Sequence, residues 1–360
     1  MCVAVIFTIL FFKSNSNKEN INIGFISGLS GKYSSLGNSV LSGFKLAFEE
    51  IDYKIDNKSI NIITKDDGQN RIKAREAITQ LLDKNIKIIV GNTTSSMTKV
   101  SINEVKDKDD VLLISATASS QEFAYKDDNF LRTQVSINTQ KILKLANYLI
   151  HMKKDRMSIY FDSKNSSYVK GVIRNIQNSY EKKQAQIVSL LDISSGFKNI
   201  LNDVKQNNPN VIFIIANALD TAKLAQYLRL NNIDSQLASA AWAKELKLIT
   251  EGGKAVEGML FSTGYDDNSN DKSYKNFIKN YESLYGHVPS VFAAQAYETA
   301  KILIEALKNN SSAKDIKKYI LSKKSFKGLQ GKIVFDKYGD VKRDYFIVTI
   351  KNGKYKKIEL

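Results

Sequence analysis

The residues best suited to chemistry in this 360-residue chain are small and hydroxyl-bearing, and they gather where apolar runs end. Ile21–Ile26 runs into Ser27-Gly28-Leu29-Ser30-Gly31. The stretch Ile86–Val100, IKIIVGNTTSSMTKV, passes from apolar residues through a Thr/Ser loop into a helical pattern. Val111–Ile114 meets Ser115-Ala116-Thr117-Ala118-Ser119-Ser120. Hydroxyls both donate and accept hydrogen bonds. Small side chains also let a solute reach backbone N–H groups, which attract anions at helix N-termini. The chemistry on offer is non-covalent capture of a polar or anionic group. One such loop would serve equally well as a helix cap, but three in a row point to a binding site.

Catalysis finds less support. A dinucleotide-binding turn needs G-x-G-x-x-G after its first strand, and Gly28-Leu29-Ser30-Gly31 has the wrong spacing. Neither a phosphate-loop lysine motif nor a G-x-S-x-G elbow is present. The two histidines, His151 and His287, lack partners at metal or triad spacing. Asp66 and Asp67 precede a glycine and read as turn and cap residues. The expectation is a protein that is not an enzyme and has no catalytic residue, metal or cofactor. Lys and Arg exceed Asp and Glu by 53 to 37, a net charge of +16. With the lysines scattered and no nucleic-acid signature, the surplus reads as a solvated basic surface.

The elements that would position these loops alternate regularly. After the first loop, Val40, Phe44, Phe48 and Ile51 recur at helical spacing, giving a face for burial against a sheet. Ile60–Lys65 leads through Asp66-Asp67-Gly68 to a helix at Arg71–Asp83, and Thr139–His151 reads as another helix. A second series then runs strand Met157–Phe161, helix Ser167–Lys182, strand Gln186–Leu191, helix Gly196–Gln206, strand Val211–Ala216, helix Thr221–Asn231, strand Gln236–Ala240. Such βα alternation predicts parallel sheets with helices on both faces. The break near Ser136–Thr139 marks a first crossing between two lobes, and the apolar helix Val291–Lys308 belongs with the first. The opening run MCVAVIFTILFF is shorter than a bilayer span and reads as an export signal or membrane anchor before a polar linker. Cys2 is the only cysteine, so no disulfide framework exists.

Taken in order, IGFISGLSGKYSSLG, the DDGQN turn, VGNTTSS, LLISATASS and FKGLQGKIVFDKYGDV resemble the periplasmic solute-binding proteins of ABC importers, of the branched-chain amino acid (Leu/Ile/Val-binding-like, type I) family. The likeness runs from about Asn20 to Leu360. It implies an α/β fold of two Rossmann-like lobes, with parallel sheets flanked by helices, joined by a multi-strand hinge that closes over ligand. The division expected is 1–19 for signal or anchor plus linker, 20–138 with 266–326 for lobe 1, and 139–265 with 327–360 for lobe 2.

The resemblance also implies a pocket. Ser95 and Ser96 match a hydroxyl pair that receives the ligand carboxylate. Thr117, Ala118 and Ser119 match a loop holding the polar head, and Tyr168 matches an aromatic from the second lobe. Tyr33 and Leu36 lie on the first loop, while Asn217, Asp220 and Trp242 end strands of the second lobe. Amino-acid binders of this type place an acid near Ala241–Trp242 for the ligand ammonium, and this chain has none there, so Asp220 or another acid would have to reach in. The function implied is capture of a small polar or carboxylate-bearing solute (an amino acid, amide or related compound) and its delivery to an ABC permease, by a monomer outside the cytoplasm, tethered if the N-terminal run is retained. The alternative is a ligand-sensing receptor of the same fold coupled to a membrane signalling protein.

Overall fold

The structure is a computed structural model that describes residues 20–136 and 139–359. Its first sheet contains β1 (Asn20–Ser27), β2 (Lys54–Ile55), β3 (Lys58–Asp66), β4 (Ile88–Gly91), β5 (Leu112–Ser115) and β6 (Phe130–Arg132), in the order β2-β3-β1-β4-β5-β6. Every neighbouring pair is parallel except the β2–β3 hairpin. Side-chain alternation places Ile88 and Val90 in one core cluster and Ile89 in another, so both faces of β4 are buried. The helices α1 (Ser34–Glu49), α2 (Arg71–Asp83) and α3 (Ser95–Val105) cover these faces. Asn70 starts α2, its side chain accepting from the amides of Ile72 and Lys73.

The second sheet repeats the plan. After α4 (Thr139–His151) come β7 (Arg156–Phe161), α5 (Ser166–Glu181), β8 (Gln186–Asp192), α6 (Phe197–Asn207), β9 (Val211–Ile215), α7 (Ala218–Leu230), β10 (Gln236–Ser239), α8 (Leu246–Gly252) and β11 (Leu260–Thr263). Val211, Phe213 and Ile215 face one cluster and Ile212 and Ile214 the other, which is why β9 reads as an unbroken apolar run. In both sheets the chain reverses direction across the sheet, at β1/β4 in the first and β7/β9 in the second. Open parallel sheets bind ligands beyond the carboxyl ends of strands at such points.

The chain then returns to the first lobe as α9 (Lys272–Tyr285), α10 (Val291–Leu307) and α11 (Ala313–Lys323). α10 crosses α1 so closely that a Cβ on Gly43 would stand 2.0 Å from the Ala293 carbonyl oxygen, which accounts for glycine there. Next come β12 (Ser325–Lys327), β13 (Lys332–Phe335) and β14 (Val341–Lys342), a small antiparallel sheet. It is tied to β6: the Arg132 amide donates to the Gly339 carbonyl at 3.1 Å, and the buried Arg132 guanidinium pairs with Asp340 at 2.6 Å. Only β15 (Phe346–Lys351) and β16 (Lys354–Lys357) join the second sheet, β15 antiparallel to β11. In the tail, β12 to β14 thus lie against elements of the first sheet, and β15 and β16 extend the second.

Among the described elements, the chain passes between the sheets three times, from β6 to α4, from β11 to α9 and from β14 to β15. Two of these passages are clamped together at a buried ion pair. Arg343, just past β14, binds the Glu298 carboxylate of α10 and donates to the Tyr265 hydroxyl at 2.9 Å, while Tyr265 also donates to Glu298.

Candidate functional site

The strand-end loops of the first lobe form one hydrogen-bonded unit. Asn92 anchors it: its side-chain Nδ2 donates to Asp67 at 2.8 Å and its backbone carbonyl accepts from Thr98 and Ser115 at 3.1 and 2.9 Å. Thr117 donates to the Thr93 carbonyl at 2.7 Å, and Ser95 Oγ accepts from the Ser119 and Ser120 amides at 3.2 and 3.1 Å. The loops after β4 and β5 are thus held as a single rigid surface. Thr94 precedes α3 without capping it, since its hydroxyl donates to Gln69 at 2.7 Å.

The second lobe closes against that surface. Asn165 accepts from the Ser96 amide at 3.1 Å, the Ser167 amide donates to Ser96 Oγ at 3.1 Å, and Ser120 donates to the Ser167 carbonyl at 2.7 Å. On the other side Tyr33 donates to Asp162 at 2.8 Å, Lys32 pairs with Asp220 at 2.6 Å, and Ser35 donates to Glu245 at 2.6 Å. Glu245 is buried, and that burial pushes its carboxyl up from the ordinary 4.5 to about 7. Burial, with Asp162 beside it, likewise raises the Tyr33 hydroxyl well above its ordinary range.

Between these contacts lies a cavity of ≈ 30 Å³, room for about two waters. Leu36, Ser95, Thr117, Ser119, Tyr168 and Trp242, all expected from the sequence, line it. Trp242 lies parallel to Tyr33 at 6.2 Å between ring centres and edge-on to Tyr168 at 6.1 Å. Its Nε1 is buried without an acceptor among the described residues.

Five expected residues are elsewhere. Tyr33 stacks behind Trp242, and Ser96 is used in bonds between the lobes. Ala118 points into the core behind the first sheet. Asn217 caps α7, its side chain accepting from the Asp220 amide at 3.0 Å, and the Asp220 carboxylate is taken up by Lys32 and by Asn217 Nδ2. Asp220 therefore does not reach the cavity. The structure adds Thr93, Thr94, Gln134, Asn165, Ala241 and Phe292. Thr93 and Thr94 stood within the VGNTTSS motif and Asn165 beside Tyr168, whereas Gln134 and Phe292 carried no local signal. Among the described residues, no cluster of three or more His, Cys, Asp or Glu side chains could hold a metal ion.

Residues 20–354 match the family described as "Periplasmic binding protein". The chain belongs to that family. Periplasmic binding proteins of this kind are extracytoplasmic solute-binding proteins, not enzymes. Among curated relatives, the Leu/Ile/Val-binding protein of Escherichia coli (strain K12) is 20% identical over 341 residues, 92% of this chain and 91% of the relative. Among solved structures, the leucine binding protein LivK of Thermotoga maritima has a TM-score of 0.86 at 20% identity, covering 94% of this chain and 98% of its own. The branched-chain amino acid binding protein LivJ of Streptococcus pneumoniae, solved with isoleucine, has a TM-score of 0.86 at 22% identity, covering 94% and 99%. A solute binding protein of R. palustris, solved with benzoate, has a TM-score of 0.85 at 16% identity, covering 94% and 95%. The periplasmic binding protein described here thus shares one frame with proteins solved with an amino acid and with an aromatic acid. Among its described residues no helix is long and apolar enough to cross a membrane, and the apolar run 1–12 lies outside them.

Proposed function

We propose that this protein captures a small polar or carboxylate-bearing solute between its lobes, as a monomer, and delivers it to the membrane permease of an ABC importer. One observation carries the reading: hydroxyl loops from the ends of β4 and β5 and aromatic side chains from the second lobe meet at a single small cavity. Ser95, Thr117 and Ser119 would hold the polar head, and Leu36, Tyr168, Trp242 and Phe292 the body. Both walls come from one chain, so no second copy is needed. Since the closed cleft leaves only ≈ 30 Å³, a solute enters by parting the lobes about the three crossings. The lobes are proposed to comprise 20–138 with 266–326, extended through β14, and 139–265 with the tail from Arg343 onward.

A thermal-shift panel of amino acids, amides, aliphatic and aromatic carboxylates and urea tests this. A solute that binds only the native form stabilises by about 2.7 kcal/mol at a hundredfold excess over Kd. A panel in which nothing raises the melting temperature would overturn the reading.

A further inference from the structure

We propose that the protein carries a second ligand site, apart from the solute cavity, for a small multiply charged oxyanion of the phosphate type, and that closure of the lobes completes it. The site goes beyond solute capture and shares no lining residue with the solute cavity.

A groove of ≈ 380 Å³ crosses from one lobe to the other. The first lobe contributes Arg71 from the start of α2 and Lys99 from α3. The second contributes Lys170 and Arg174, which lie at helical spacing on one face of α5. The single acid in the lining, Glu122, is bound by Lys99 at 2.5 Å. Arg71, Lys170 and Arg174 are exposed and have no acidic partner among the described residues. Guanidinium and ammonium groups make charge-assisted hydrogen bonds to phosphate oxygens, so converging cations of both kinds favour a multivalent oxyanion. No lining side chain is apolar, which leaves nothing to hold an apolar body. The same composition argues against a protein docking surface, whose centre is enriched in aromatic residues and depleted of lysine. The volume is that of a small-molecule site.

Groove and cavity are assembled by the same contact. Ser119 and Tyr168 line the cavity, while the residues adjacent to them, Ser120 and Ser167, line the groove and join the lobes through a 2.7 Å hydrogen bond. Parting the lobes separates Arg71 and Lys99 from Lys170 and Arg174. An anion that needs both pairs therefore binds the closed form better and shifts the population towards it. Without the anion the two pairs repel each other across the groove, which opposes closure. By linkage the anion raises solute affinity by the same factor as solute raises its own, about 5–150-fold for couplings of this kind.

The test uses pyrophosphate and inorganic phosphate as probes, in calorimetry and small-angle scattering without solute, against sodium chloride at matched ionic strength. Pyrophosphate should bind saturably at a single site, more tightly than phosphate, and should reduce the radius of gyration. Arg71→Ala, and separately Lys170→Ala with Arg174→Ala, should each weaken it by about tenfold or more, since each removes one lobe's share. Both variants change exposed side chains, so their melting temperatures without anion should be unchanged or higher. Absence of saturable binding beyond the chloride control overturns the inference. So does binding that survives either variant, which would mean an adventitious ion only, and so does an unchanged radius of gyration at saturating pyrophosphate. Tighter binding of hexaglutamate or of phosphatidylglycerol vesicles than of pyrophosphate overturns it in favour of a macromolecular surface. Each of these results leaves solute capture standing, because capture is read from the thermal-shift panel without pyrophosphate.

Discussion

Glu245→Gln should stabilise the closed protein above neutral pH and flatten its pH dependence. Glu245 is 3% exposed, lies where the lobes meet, and among the described residues its carboxylate has Ser35 as its one hydrogen-bond partner. The nearby cations do little to offset its burial. Lys244 is committed to Asp267 at 2.7 Å and lies over the Tyr355 ring, and only Lys247 lowers the carboxyl from a distance. Burial therefore wins, and the carboxyl titrates near 7 instead of 4.5. Because the folded value is raised, the native state holds the proton more tightly. The associated stability is complete below the unfolded value of about 4.5 and is lost as pH rises through about 7. A shift of that size corresponds to about 3 kcal/mol between pH 4.5 and 8. Glutamine keeps the shape without the charge, so urea denaturation at pH 8 should show a gain approaching that figure, and little change at pH 5. Parallel pH profiles for the two proteins would refute the reasoning, since they would mean that the carboxylate is solvated.

Ser119→Ala and Ser95→Ala should each weaken solute binding by about tenfold or more, the 1.5–3 kcal/mol of a hydrogen bond to a charged group, as read by calorimetry. Glu298→Ala should cost about 3–5 kcal/mol in urea denaturation, because it strands the buried Arg343 at the crossings. The sole tryptophan, Trp242, is packed between Tyr33 and Tyr168, so its emission should shift on solute addition, and Trp242→Ala should bind less tightly.

Much of the fold was legible because its local signals agree. β1, β4 and β5 are apolar runs ending in Gly, Ser or Thr, and α1 carries its buried stripe at helical spacing. Strands of two or three residues, β2, β6, β12 and β14, are too short to show a period. The docking of β12 to β14 has no local signal either, since it is set by tertiary hydrogen bonds such as those from Arg132 to Gly339 and Asp340 and from the Leu329 amide to Glu298. Within the site, the hydroxyl loops were visible as composition. Ala118 sits among them in sequence, yet its side chain turns into the rear core cluster. Asp220 has the right charge for an amine, but Lys32 from the opposite lobe takes it up. Gln134 and Phe292 reach the cavity only because a crossing segment and the start of α10 converge there, and such tertiary placement has no sequence period.

The central claim is closure of two lobes over a solute, and small-angle scattering with and without the solute that gives the largest thermal shift tests it most directly. The account predicts a smaller radius of gyration with solute, in a curve fitted by the closed structure, and a wider ensemble without it. Identical curves at saturating solute would contradict it.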